Sequence, residues 1–346
     1  MRKITFLLTA VLVFTALSCN AKAKTSLENG KRLFDQENYD EAIQELTEAI
    51  RLNPKMAEAY AYRARAYNGK SDYDMGLSDA EKAIQLNPRL GLGYFARGNN
   101  YRDKNDIDRA IADYTEAIRL DPKFVRAYSN RGSLYIDKKD YDLAIADYTE
   151  AIRINSNNAD YYNNLGVSYY KKNDYDLAIA DYTEVIRLDS NYVSAYNNRG
   201  SAYGNKGDYD RAIADLTKSI QIDPNNDYSY SIRGAVYANK GDGNRCIADS
   251  TQAIRLNPNN ADAYRNRGAV YANKGDNNRA IPDLEAALRL NPNDQIAKTG
   301  LDNVRKALAE QQAARNSLRR MTGTGDPYAD AYNYGFQLGL DMLFGN

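Results

Sequence analysis

Histidine and tryptophan are missing altogether from the 346 residues, cysteine occurs twice, and neither sign of charge prevails, with 46 basic side chains against 46 acidic ones. Without imidazole, Ser-His-Asp, Cys-His and histidine-containing zinc sites are all excluded. No metal or other cofactor is expected. A neutral balance without a basic cluster argues against nucleic acid as a partner, because phosphate binding needs concentrated positive charge. Long apolar runs are scarce as well, and the run from Ile4 to Leu17 is too short to span a bilayer comfortably.

Repetition is what the chain has instead. A glycine recurs at Gly98, Gly132, Gly166, Gly200, Gly234 and Gly268, a spacing of 34, and Gly30 and Ala64 extend the register backwards. Length alone suggests two domains, but a fixed period of this size favours one elongated array. With that glycine numbered position 8 of each unit, position 11 holds Leu33 and then Tyr67, Tyr101, Tyr135, Tyr169, Tyr203, Tyr237 and Tyr271. Position 20 is small throughout (Ala42, Gly76, Ala110, Ala144, Ala178, Ala212, Cys246, Ala280), and proline holds position 32 except at Ser156 and Ser190. Carboxylates follow the same period, whereas a catalytic pair must be singular, with one member's pKa raised. No such pair stands out, so the chain is read as non-enzymatic.

These small, aromatic and proline positions resemble the tetratricopeptide repeat. The match runs through eight copies without an insertion: 23–56, 57–90, 91–124, 125–158, 159–192, 193–226, 227–260 and 261–294. The resemblance implies an all-α fold, a right-handed α-solenoid superhelix of tandem helix pairs. Within a unit, apolar and small residues recur at helical spacing over positions 2–14 and 17–30, read as antiparallel helices A and B. Asn158, Asn226 and Asn260 are placed to cap the A helix that follows, and the aspartates of position 16, Asp72 through Asp276, to cap helix B. The glycine of position 8 and the small residue of position 20 let A and B approach closely. Arginines at position 7 (Arg63, Arg97, Arg131, Arg199, Arg233, Arg267) accompany aspartates at position 23 (Asp79, Asp113, Asp147, Asp215, Asp249, Asp283), predicting an ion pair in each of these units. In the fifth unit Leu165 stands opposite Asp181, and that aspartate needs another partner.

The two ends differ from the array. Arg2 and Lys3 followed by Ile4–Leu17 have the charge and length of a secretory signal, which predicts export. Ala16-Leu17-Ser18-Cys19 resembles a bacterial lipobox with Ala16 in place of the usual leucine, implying a signal over 1–19, acylation of Cys19 and a lipid-anchored envelope protein that meets membrane only through that anchor. Cleavage after Ala21-Lys22-Ala23 is the alternative and gives a soluble periplasmic or secreted protein. Cys246 takes the small-residue position 20 and reads as a buried apolar side chain. Residues 295–320 predict a capping helix with Ile296, Leu301, Val304 and Leu308 on one face. Residues 321–346 read as a hinge and an apolar segment to Phe344, whose pattern fits a helix or a strand, with the Asp326-Pro327 cap favouring helix.

The resemblance places positions 2, 5, 6, 9 and 13 of helix A on a concave wall. Asn130, Asn164, Asn198 and Asn266 at position 6 resemble the asparagine ladder of tetratricopeptide superhelices that hold an extended peptide by its backbone, since an amide both donates and accepts. Asn163, Asn197, Ser133 and Ser201 extend the polar strip, and Tyr62, Phe95 and Tyr228 are candidate aromatic anchors. Arg126 and Arg265 are its cations, without the companions that a carboxylate-clamping member of the family carries. The same asparagines also fit a purely structural reading, as this subtype's way of writing helix A. The expected function is a scaffold or adaptor of the bacterial cell envelope that binds other proteins or peptides. The alternative is a structural, cell-wall or carbohydrate-associated envelope protein.

Overall fold

The structure is a computed structural model that describes the backbone of residues 2–322 and the side chains of residues 19–317. Every regular element among the described residues is a helix. The chain divides into two compact units, 1–190 and 191–346. The first holds α1 (Arg2–Asp35), α2 (Tyr39–Leu52), α3 (Ala57–Gly69), α4 (Tyr73–Leu86), α5 (Gly91–Asp103), α6 (Ile107–Leu120), α7 (Val125–Asp137), α8 (Tyr141–Ile154), α9 (Ala159–Lys171) and α10 (Tyr175–Leu188). The second holds α11 (Val193–Asn205), α12 (Tyr209–Ile222), α13 (Asp227–Asn239), α14 (Gly243–Leu256), α15 (Ala261–Asn273), α16 (Asn277–Leu290) and α17 (Gln295–Thr322). In each unit, odd and even helices pair as hairpins and successive hairpins stack in chain order. The fold class is all-α, built from helical repeats.

Local chemistry sets the helix ends. The side chains of Asp72, Asp106, Asp208, Asp242 and Asp276 accept from the backbone N–H three residues on, at 3.0–3.3 Å. Asp140 and Asp174 make no such bond. Asn158, Asn226 and Asn260 cap α9, α13 and α15. Between the two helices of every repeat, position 15 has a positive φ: Glu37, Ser71, Asn105, Lys139 and Asn173 in the first unit, Gly207, Gly241 and Gly275 in the second. This left-handed residue closes helix A, and glycine alone adopts it without a steric cost.

Each hairpin packs through its glycine. A β carbon on Gly98, Gly166 or Gly200 would come within 3.0 Å of the side chain at position 24, respectively Tyr114, Tyr182 and Leu216. Those residues are almost wholly buried. Position 24 is therefore the main partner of the glycine, with the position 20 carbonyl beside it, as Ala212 is beside Gly200.

All six expected Arg–Asp pairs form, each a two-bond fork of 2.7–2.9 Å from Nε and Nη2 to the carboxylate. Each guanidinium also lies 5.6–5.9 Å from the ring of the tyrosine at position 4, 11 or both. Such half-buried forks fix the angle between the helices more than they add stability.

α17 closes the second unit by burying Ala297, Leu301 and Val304 against Leu284 and Ala287, with Leu308 at the edge. Ile296, expected on that face, is 67% exposed, because Asp294 caps the helix through the N–H groups of Ile296 and Ala297 and so turns Ala297 inward. Helix α16 continues through Pro282. The hinge and apolar segment expected over 321–346 lie outside the described residues, except that 321 and 322 continue α17. At the other end α1 carries the signal-like stretch and the first A helix in one piece. No helix among the described residues is long and apolar enough to cross a membrane.

Candidate functional site

In the first unit the residues expected to face a ligand converge along α3, α5, α7 and α9, the A helices of successive repeats. Half-buried Asn130 on α7 donates through Nδ2 to Asn99 Oδ1 on α5 at 3.0 Å, and Tyr114 Oη donates to the same oxygen at 2.8 Å. Tyr114 belongs to α6, so its buried ring delivers a hydroxyl to the seam between two A helices. Burial pushes its pKa up to about 12, which keeps it a proton donor across the neutral range. One hairpin later the Tyr148 hydroxyl donates to a backbone carbonyl instead, that of Ser129 on α7, at 3.2 Å. On α9, Asn164 Oδ1 accepts from Asn163 Nδ2 at 3.4 Å. Ser133 and Arg126 flank Asn130 on α7, one turn to either side, and are exposed.

The aromatic end of this wall is built around a residue the sequence does not single out. Arg65 on α3 is 8% exposed, with its guanidinium 4.3 Å from the Phe34 ring, 5.2 Å from Tyr62 and 5.7 Å from Phe95. Its Nε has no hydrogen-bond partner among the described residues. Burial pulls its pKa below arginine's ordinary value, and Arg126 acts in the same direction. Its signal in the sequence is arginine at position 9, where the first unit carries Lys31 and the later ones uncharged residues such as Asn99, Ser133 and Ser201.

The second unit holds Asn198 on α11, Tyr228 on α13 and Asn266 on α15. Tyr228 is 52% exposed. Asn266 Nδ2 donates to the Ser231 carbonyl of α13 at 3.2 Å, again tying one A helix to the one before it.

Three expected wall residues are not available there. Phe95 is 3% exposed, its ring 4.7 Å from Phe124 and 5.7 Å from Tyr114, so it belongs to the core. Asn197 is also 3% exposed, and its Oδ1 is buried without a partner among the described residues, while Ser201 Oγ donates to its backbone carbonyl at 2.9 Å. Arg265 is neutralised by Asp262 at 2.7 Å and Asp294 at 3.1 Å. All three occupy position 5, which in the fifth repeat holds the half-buried Asn163. Cys246 is fully buried near Ser250 and the Asn266 carbonyl, and burial pushes its thiol pKa up, which makes it a packing residue.

Amides, hydroxyls and stacked cations on adjacent helices suit the capture of a polypeptide backbone, and comparison with known proteins points to the same class of molecule. A model of the ETO1 C-terminal domain matches residues 123–306, more than half of the chain, and a TPR repeat model matches 30–70 and 98–138. The chain belongs to the ETO1 C-terminal domain family and is a tetratricopeptide repeat protein. Tetratricopeptide proteins are in general non-enzymatic scaffolds that bind other proteins or peptides, and no catalytic family is indicated for this one. Among solved structures, a tetratricopeptide repeat protein from Parabacteroides merdae is 21% identical, with 72% of this chain and 98% of that one covered at a TM-score of 0.59. A chain of the APC/C hetero-tetramer Cut9-Hcn1 is 20% identical at a TM-score of 0.57, covering 81% of this repeat protein, which spans 55% of that chain. Pseudomonas aeruginosa pilF is 18% identical at 0.52, with coverage of 60% and 94%. At these identities the likeness is one of fold. No curated protein matches the sequence.

Proposed function

We propose that this tetratricopeptide repeat protein is an envelope adaptor that holds extended segments of partner proteins along the A helices of its repeats. The observation that carries the reading is the seam of Asn99, Asn130 and the Tyr114 hydroxyl between α5 and α7; one repeat on, the Asn163–Asn164 pair stands at the corresponding place on α9. Together they present donors and acceptors at the spacing of successive repeats, and amides pair with a peptide group whatever its side chain. Half-buried Tyr62 supplies aromatic area at one end, held by the buried Arg65 beneath it.

The protein is exported and anchored through Cys19. Cys19 is exposed. Ala23 is fully buried, and Asn20 accepts from Asn53 at 3.4 Å. A cut after Ala23 removes both contacts, whereas a cut before Cys19 preserves them, which favours the lipoprotein route over soluble release.

Replacing Asn99, Asn130 and Asn164 together by alanine tests the first part, with capture of envelope proteins from crosslinked cells as the readout. Loss of capture by a folded variant is expected, and undiminished capture removes the amide seam from the account. Mass spectrometry of the mature N-terminus tests the second: a diacylglyceryl cysteine is expected, and an unmodified N-terminus at Lys24 contradicts it.

A further inference from the structure

The repeats are internal controls for one another, and one of them lacks a part that six others have. In those six, a guanidinium forks onto the aspartate of position 23 beside the tyrosines of positions 4 and 11. Arg63, Arg131, Arg233 and Arg267 also donate Nη1 to the threonine at position 25 of the preceding repeat, Thr47, Thr115, Thr217 and Thr251 respectively, at 2.8–3.1 Å. The fifth repeat keeps every receiving group: Tyr162 and Tyr169 on α9, Asp181 on α10 and the exposed Thr149 on α8. Its position 7 is Leu165, which is buried and stops at the δ carbons, so the repeat supplies no guanidinium of its own.

No group among the described residues takes the place of the guanidinium at Asp181. Its Oδ2 is buried without a hydrogen-bond partner among the described residues. Burial alone raises its carboxyl pKa to about 7, with no cation acting against that. The nearest basic side chain on its own helix, Arg187, is taken by Glu184 at 2.6 Å. The Asp181 charge adds to burial in raising the phenol pKa of Tyr169 and, after Glu184, of Tyr162, which puts both rings within its electrostatic reach. In the second repeat the corresponding surface, lined by Tyr60, Ser78, Asp79, Glu81, Lys82 and Gln85, is an open hollow of about 580 Å³, and in the fifth Tyr162, Tyr169 and Asp181 are half-buried and Thr149 is exposed.

We propose that Asp181, Tyr162, Tyr169 and Thr149 form a binding site for the guanidinium of an arginine side chain presented by a partner protein. A carboxylate offers that group two parallel bonds, and the flanking rings add cation–π attraction. A lysine ammonium meets the same carboxylate as a point charge and leaves the fork and the threonine unused. The site lies on the seam between α9 and α10, apart from the amide wall, and does not rest on the peptide-binding reading given above.

The test uses the full chain with ¹³C-methyl leucine, the Leu165 resonance being assigned with Leu165→Met, and titration at pH 8 with acetyl-Gly-Arg-Gly-amide. A saturable shift of the Leu165 methyls is expected, at least tenfold weaker binding for the citrulline and lysine analogues, and loss of the shift in Asp181→Asn. Leu165→Arg supplies the guanidinium internally, so the arginine peptide is expected to raise the melting temperature of the parent chain and leave that of this variant unchanged. Equal binding of the citrulline peptide, an unaltered shift in Asp181→Asn, stabilisation of Leu165→Arg by the peptide, or no shift up to tens of millimolar peptide would each overturn the assignment.

Discussion

Asn100 on α5 occupies the space that a side chain on Gly76 of α4 would need: a β carbon there would lie 2.8 Å from Asn100 Cγ. Asn100 is fully buried, and its Nδ2 donates to the Ala96 carbonyl at 2.9 Å. The glycine of the second repeat is thus the complement of an asparagine in the third. Gly76→Ala is expected to destabilise the protein by about 1–3 kcal/mol in urea denaturation, through overpacking and despite alanine's better helix propensity. Adding Asn100→Ala should recover most of that loss, and strict additivity of the two substitutions would contradict the contact.

Asp181 gives stability a pH dependence of known sign. Its carboxyl titrates near 7 in the folded protein and near the ordinary 3.8 when unfolded. The folded state therefore holds the proton more tightly, so this contribution is fully present below about pH 4 and is lost as pH rises towards 7. Asp181→Asn removes the titration. Its melting temperature relative to the parent chain should climb between pH 4 and pH 8, as followed by calorimetry. A difference that stays constant with pH would show that Asp181 does not titrate in this way.

Breaking one of the forks should reproduce the defect of the fifth repeat elsewhere. Arg131→Leu leaves Asp147, 4% exposed, without its two-bond partner, and a loss of roughly 3 kcal/mol is expected. Arg131→Leu combined with Asp147→Leu should lose much less, because no charge is left buried. Equal losses for the single and double variants in chemical denaturation would show that packing, not charge, sets the cost.

At position 15 the chain is not at its stability optimum. Lys139 has φ of 64°, where an L side chain costs about 1 kcal/mol, while Gly207 has φ of 81° and bears no such cost. Lys139→Gly should raise stability and Gly207→Ala lower it, each by about that amount in thermal denaturation. A destabilised Lys139→Gly would mean that the lysine side chain does more in the turn than its backbone geometry suggests.

Much of the scaffold was legible because a period repeats its evidence. Asn158, Asn226 and Asn260 announce three caps, and arginine and aspartate spaced by 16 residues announce six forks that the structure forms. What stayed hidden depends on neighbours that the period does not name. Phe95 and Asn197 read as wall residues until the packing around position 5 covers them, and Ile296 reads as core until Asp294 turns the helix that follows. The left-handed turn at position 15 is disguised in the first five repeats by Glu37, Ser71, Asn105, Lys139 and Asn173. Arg65 escapes because it departs from the period, and its aromatic surroundings come from three different helices.

Capture along the A helices requires a partner to touch that face of the repeats, and site-specific photocrosslinking in cells reads that directly. A photoreactive residue at Ser133, exposed on α7 one turn from Asn130, should give discrete polypeptide adducts. The same residue at Leu143, 50% exposed on the B helix α8, should give few or none. Adducts in equal yield at both positions, or at Leu143 alone, would contradict capture along the A helices.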